Sequence, residues 1–252
     1  MDKIRILHPH PALLIQHGNM KYLVITDLHI GFEEKLFSAG VKITMSVQKM
    51  LDELMSIVSE YKPDHLMILG DIKYSVNKIS VAEWQLVPKF LEKISKKIKT
   101  TIVPGNHDAM LTPLLPQNVI MEDVKGVKLG KNILLHGHTN PIKEWRSPKR
   151  MIMGHTHPTY NMSGSPLSGR PVWLLLRAKG NIFYPSMESD RVLEVMVIPS
   201  FNRELSTAGY SAFHGKTISP LLRRMKDYVY EALITTLDGE IIGDAESVKH
   251  VI

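Results

Sequence analysis

Thr101-Ile102-Val103-Pro104-Gly105-Asn106-His107-Asp108 sets a short apolar run directly against a cluster of groups able to bind metals and move protons. The same design repeats along the chain. Tyr22 to Ile25 precedes Asp27-Leu28-His29, and His65 to Leu69 precedes Gly70-Asp71. Asn132 to Leu135 precedes His136-Gly137-His138, and Met151 to Met153 precedes Gly154-His155-Thr156-His157. Apolar runs that stop at Gly, Asp, Pro or His look like strand ends feeding loops at one edge of a sheet. Together the five segments offer carboxylates, an amide oxygen and several imidazoles. That ligand set holds a pair of divalent cations without any thiolate.

Outward from these segments the pattern alternates strands and helices, giving an α/β fold class. Ile4 to Leu7, Ala12 to Gln16 and Tyr22 to Thr26 read as strands, the last two joined as a hairpin through Gly18-Asn19. Val47, Met50, Leu51, Leu54, Ile57 and Val58 keep helical spacing within Thr44 to Tyr61, and Pro63 closes that element. Ser80-Val81-Ala82-Glu83 has capping-box form and predicts a second helix towards Lys97, kinked near Pro88. Beyond Gly154 strands dominate: Val172 to Ala178, Val192 to Ile198, then Ala232 to Leu237 and Glu240 to Ile242 about Asp238-Gly239. Asn161 to Arg170 and Pro199 to Pro220 read as irregular surface connections, the second of which would also suit a lid.

Composition narrows the function classes. The 252 residues suit one large domain, or one domain with an appendage. No cysteine is present, which excludes zinc ribbons, iron-sulfur clusters, disulfide frameworks and thiol catalysis. Met1-Asp2-Lys3-Ile4-Arg5 opens no apolar signal region and no stretch has the length of a membrane span, so the cytoplasm is the expected location, with no membrane partner. A net charge of +6 and a pI near 9.3 favour anionic partners. Lys93, Lys96, Lys97 and Lys99 fit the outer face of a helix. Lys143, Arg146, Lys149 and Arg150 lie between two of the motifs, and Arg146 and Arg150 are therefore candidate substrate contacts.

The ordered series Asp-x-His, Gly-Asp, Gly-Asn-His-Asp, His and Gly-His-x-His, from Asp27 to His157, resembles that of the calcineurin-like metallophosphoesterases. Gly70-Asp71-Ile72-Lys73 and Pro199-Ser200-Phe201-Asn202 look most like the archaeal SbcD-related and DNA-ligase-associated branch. The resemblance implies two facing mixed β-sheets flanked by helices, a four-layer sandwich. Residues 1–198 would form the catalytic domain, and 199–252 a C-terminal extension or cap packed on it. It further implies that Asp27, His29, Asp71 and His157 surround one metal, and that Asp71, Asn106, His136 and His155 surround the second, with Asp71 bridging. Manganese is the metal favoured by analogy, while iron, zinc, nickel and cobalt suit the same donors.

By the same resemblance His107 stabilises the phosphoryl transition state or protonates the leaving oxygen. Asp108 is expected either to hydrogen-bond its other ring nitrogen or to cap a short helix over Ala109 to Leu115. His138 stands two residues after His136, so on an extended backbone its ring points to the opposite side, as a supporting or substrate-contacting group. His8 and His10, in His-Pro-His-Pro, are expected in a loop. The expected function is metal-dependent hydrolysis of a phosphodiester, with nucleic acid, DNA or RNA, or a nucleotide as substrate. Two dications less Asp27, Asp71 and a hydroxide leave a single positive charge, which a diester anion neutralises. A phosphomonoesterase or cyclic-nucleotide phosphodiesterase with the same metals is the alternative, and a non-catalytic scaffold the more distant one.

Overall fold

Leu23, Val24 and Ile25 are consecutive and all fully buried, yet they serve different cores, because side chains along a strand point alternately to its two faces. A strand covered on both sides has to be apolar at every position, which is why the sequence shows unbroken runs here rather than alternation. The computed structural model describes residues 2–34, 46–145, 148–185, 187–188, 191–207 and 219–251.

The first sheet has the order β1 (Lys3–Ile6), β2 (Leu13–His17), β3 (Met20–Ile25), β4 (His65–Ile68), β5 (Lys99–Ile102), β6 (Val119–Met121). Its members β3 to β6 are parallel. The second sheet is built from β7 (Val127–Leu129), β8 (Asn132–Leu134), β9 (Arg150–Met153), β10 (Thr159–Tyr160), β11 (Arg170–Lys179), β12 (Val192–Val197), β13 (Val229–Thr236) and β14 (Ile241–Gly243). Its order is β14-β13-β11-β12-β9-β8-β7, with β10 paired to β11. Here β8, β9 and β12 are the parallel set. Since β13 lies beside β11, the second sheet draws strands from both sides of position 198.

Three apolar clusters divide four layers. Leu13, Ile15, Val24, Met67, Leu69 and Val103 of the first sheet meet Leu134, Ile152, Trp173 and Ile198 of the second in the central cluster. Leu23, Ile25, Leu66, Ile68 and Ile102 point the other way, against helices α1 (Ser46–Tyr61) and α2 (Val81–Ser95). On the far side of the second sheet Met151, Met153, Leu174 and Val197 pack with Tyr184 and with Leu221, Leu222 and Met225. Of the two short helices α3 (Glu204–Thr207) and α4 (Pro220–Met225), the latter supplies those last three residues. This is the α/β arrangement of two mixed sheets flanked by helices.

Helix α2 begins as its capping box predicts: Ser80 Oγ accepts the Glu83 N–H at 3.3 Å, and Glu83 accepts the Ser80 N–H at 2.6 Å. It runs through Pro88 to Ser95, and its buried Val87, Phe90, Leu91 and Ile94 hold it on the sheet. The expected helix from Thr44 is described from Ser46; Thr44 and Met45 lie outside the described residues. The loop reading of Pro199 to Pro220 requires correction at its start. Ser200, Phe201 and Asn202 are buried, and the backbone N–H of Phe201 bonds the Thr26 carbonyl at 2.9 Å. Among the described residues no helix is long and apolar enough to cross a membrane.

Ile152→Ala should therefore cost about 2–5 kcal/mol, since its site between two sheets cannot collapse. Ile241→Ala, at a position 70% exposed, should change stability by no more than about 0.5 kcal/mol. Urea denaturation of the two variants compares them directly.

Candidate active site

The loops that follow β3, β4, β5, β8 and β9 leave the carboxyl ends of the parallel strands of both sheets, where open α/β sheets place their ligands. They bring Asp27, His29, Asp71, Asn106, His136, His155 and His157 together. Asp71 Oδ2 lies 3.4 Å from His29 Nε2 on one side and 3.3 Å from His136 Nε2 on the other. The His29 and His157 Nε2 atoms are 3.1 Å apart, and His157 Nε2 is 3.2 Å from Asp27 Oδ1. In the second group His136 Nε2 is 3.2 Å from both Asn106 Oδ1 and His155 Nδ1. Two sets of donors thus converge, Asp27, His29, Asp71, His157 and Asp71, His136, His155, with Asn106 beside the second.

These spacings fit a pair of divalent cations. Metal–ligand bonds of about 2.0–2.2 Å at tetrahedral or octahedral angles put neighbouring donor atoms about 2.8–3.6 Å apart. Asp27 Oδ1 is buried and faces imidazole nitrogens of His157, His136 and His29 at 3.2, 3.9 and 4.0 Å. Backbone strain points to the same place. Among the described residues seven non-glycine positions have positive φ, and five of them are Asp27 (57°), His29 (44°), Asp71 (54°), His155 (73°) and His157 (43°). Each such residue costs on the order of 1–3 kcal/mol, and such strain concentrates at functional sites.

The backbone around the donors is tightly fitted. A Cβ on Gly105 would stand 2.1 Å from Asp71 Oδ1, and one on Gly154 would stand 2.5 Å from Asp27 Oδ2. Asp71 Oδ1 accepts the His107 N–H at 2.9 Å, and Asp27 Oδ2 accepts the His155 N–H at 3.1 Å. His136 Nδ1 donates to the Leu69 carbonyl at 2.7 Å, which aims Nε2 at Asp71 across the sandwich. Ser200 Oγ donates to the Asp27 carbonyl at 2.7 Å and Asn202 Nδ2 to the Leu28 carbonyl at 2.9 Å. These two residues brace the loop that carries Asp27 and His29. The sequence offered only the Pro199-Ser200-Phe201-Asn202 segment as a sign of them.

Several expectations change. His107 Nδ1 donates to the Tyr74 carbonyl rather than to Asp108, and its Nε2 stands 4.0 Å from Asp71 Oδ2. Asp108 turns inward, because the backbone supplies it with better donors: the N–H groups of Gly105 and Ile72, each at 2.8 Å. It caps no helix either, as the following 3₁₀ turn spans Thr112–Leu114 with Leu111 at its N-cap. His138 does not face away from His136. The chain bends at Gly137 (φ +122°), and the His138 ring comes to 5.3 Å from that of His136 and 6.0 Å from that of His155. Arg150 is not brought to the site. It starts β9 at the end opposite the ligands and pairs with Glu194 at 2.5 Å. Arg146 lies outside the described residues. His8 and His10 sit in a loop, bonded to the Leu237 carbonyl and to Glu53, each at 2.7 Å.

Buried charge governs protonation in the metal-free protein. Burial disfavours a charged His136, but Asp71 and Asp27 outweigh it and raise its pKa to about 9. Burial opposes the Asp71 charge too, yet His136 and then His29 hold it well below the usual carboxylate range. Burial and the His136 charge push His155 down to about 3 and His138 to about 4. Burial and the Asp71 charge raise Asp108 to about 6.

A family model described as calcineurin-like phosphoesterase matches residues 20–182. Among solved structures the chain is similar to the nuclease MPE of Pseudomonas putida, at 17% identity and a TM-score of 0.53, covering 95% of this chain and 100% of that one. It is also similar to YfcE, a phosphoesterase from E. coli, at 14% identity and a TM-score of 0.41, covering 89% of this chain and 98% of that one.

A cation entering the second cluster has to displace the His136 proton. Apparent metal affinity should therefore rise with pH up to about 9, with about one proton released per protein at pH 7.5. Without metal, the raised pKa means that this proton's contribution to stability is complete below the unfolded value of 6.5 and is lost as pH rises through about 9. Calorimetric titration in buffers of different ionisation heat counts the proton, and a pH-independent affinity with no release would contradict the assignment.

Proposed function

Because the chain belongs to the calcineurin-like phosphoesterase family and is a metal-dependent phosphoester hydrolase, we propose that it cleaves phosphodiester bonds of nucleic acid or of a nucleotide. The observation that carries this reading is one buried carboxylate oxygen, Asp71 Oδ2, within 3.4 Å of an imidazole nitrogen from each of two donor clusters. When bound, the two cations would supply the Lewis acidity that acidifies a water and draws electrons from a phosphoryl oxygen. Manganese is the cation we assign, by analogy with the nuclease-like branch, on a donor set that suits iron, zinc, nickel and cobalt as well.

This chain's own groups do the rest. Asp27 and Asp71 remove two of the four positive charges of two dications, so that a singly charged diester completes neutrality once hydroxide is counted. The basic balance of the chain, +6 overall, favours a polyanionic substrate, and the nuclease of similar fold is in keeping with it. The Tyr74 carbonyl accepts a hydrogen bond from His107 Nδ1–H, which orients the ring so that Nε2, in the imidazolium form, gives its proton to the departing oxygen or a hydrogen bond to the phosphoryl group. The half-buried ring of His138 flanks the second cluster, and its buried Nδ1 has no partner among the described residues. We assign it to substrate contact. The match to an archaeal SbcD-related branch rests on the two short segments quoted above and supports the same substrate class.

Purified protein with manganese should hydrolyse bis(p-nitrophenyl) phosphate and at least one of single-stranded DNA, duplex DNA and RNA. Asp71→Asn should abolish turnover, and His107→Ala should lower it by about 10²–10⁴-fold on nucleic acid while metal binding persists. Turnover confined to p-nitrophenyl phosphate or to cyclic nucleotides would replace the diesterase reading by the monoesterase or cyclic-nucleotide one.

A further inference from the structure

The loop between β4 and α2 carries Asp71 at its base and an exposed tip at Val76 to Lys78. Two opposite charges are buried inside it, Lys73 and Glu83, both 0% exposed and neither of them a metal donor. Lys73 Nζ gathers carbonyls: Ser75, Val76 at 3.4 Å and Lys78 at 3.1 Å. Glu83 gathers N–H groups, taking Ser75 through Oε1 and Ser80 through Oε2, each at 2.6 Å. The Ser80 contact belongs to the capping box. The Ser75 contact goes beyond it, and the capping motif alone does not call for it.

The Ser75 N–H shares one planar peptide unit with the Tyr74 carbonyl, and the two point in opposite directions. One face of that unit therefore meets the Glu83 carboxylate while the other meets His107 Nδ1. The Tyr74 N–H is fixed as well, on the Ile30 carbonyl at 3.0 Å. A carboxylate on the N–H side polarises the amide and strengthens its carbonyl as an acceptor. Space for Glu83 exists because residue 31 is glycine: a Cβ there would lie 2.8 Å from Glu83 Cγ.

We propose that Glu83 and Lys73 are positioning residues for His107, Glu83 through the Tyr74–Ser75 peptide and Lys73 through the Ser75, Val76 and Lys78 carbonyls of the same loop, together fixing the ring orientation with Nδ1–H on the Tyr74 carbonyl and Nε2 towards the departing oxygen. This rests on the role given to His107 above. A positioned acid matters most when the leaving group is a poor one, so the effect should depend on the substrate.

The test compares kcat for a dinucleotide, whose alkoxide leaves poorly, with kcat for bis(p-nitrophenyl) phosphate, whose phenolate leaves well. His107→Ala should lose about 10²-fold or more on the dinucleotide and about tenfold or less on the nitrophenyl ester. Glu83→Gln and Lys73→Met should each lose about tenfold on the dinucleotide, with little change on the nitrophenyl ester, in KM or in manganese affinity. In the His107→Ala background neither should cost anything further. Ser80→Ala, which removes only the cap hydroxyl, should leave the selectivity intact. Should one variant fold poorly, the other carries the test, with manganese affinity as the check on the site. Equal losses on both substrates, losses that multiply with His107→Ala, or the same pattern in Ser80→Ala would overturn the positioning role. A His107→Ala enzyme without leaving-group selectivity would remove the role of His107 itself, and this inference with it.

Discussion

Two carboxylates, Asp27 and Asp71, are buried at the meeting edge of two sheets, and among the described residues every ion pair they make is to a histidine. Unpaired charge in such a place is among the most expensive things a fold can contain. The surrounding architecture is an answer to that charge. Without metal, a proton on His136 offsets part of it, while burial keeps His29 and His155 neutral and able to ligate. A pair of dications would answer it fully, and would leave the net positive charge that an anionic phosphoester needs.

Meeting that constraint sets the local geometry. Donors from five loops have to converge on points a few ångströms apart, and regular strand ends do not aim their side chains that way. Left-handed backbone at Asp27, His29, Asp71, His155 and His157 redirects them, and glycine at 105 and 154 lets the chain approach the carboxylates closely. The strain is held by what lies behind. Three apolar clusters fix the strands, Ser200 and Asn202 hold the first loop, and the Leu69 carbonyl ties His136 of the second sheet to the first. Stability from the sandwich is thus converted into preorganisation at its edge.

The parts legible in the sequence are those with short-range signatures. Runs such as Leu66 to Leu69 announce strands buried on both faces, the Ser80/Glu83 box announces a helix start, and the motifs announce which loops share an edge. What escaped depends on contacts remote in sequence or on single dihedral angles. The bend at Gly137 turns His138 towards His136, and nothing in His-Gly-His dictates it. Asp108 finds backbone donors in Ile72, 36 positions away, which outbid the neighbouring imidazole. Position along the chain puts Arg150 beside the motifs, but the direction of β9 carries it to the other end. Ser200 and Asn202 are polar residues in an apparent loop, and only the sheet packing shows them bracing Asp27.

Crystals grown or soaked with manganese, with data collected for anomalous scattering, test the central claim most directly. Two peaks of comparable height should flank Asp71 Oδ2, about 3.5–4 Å apart. One should be enclosed by Asp27, His29 and His157, and the other by Asn106, His136 and His155. One peak alone, or two that do not share Asp71, would contradict the account of a bridged pair.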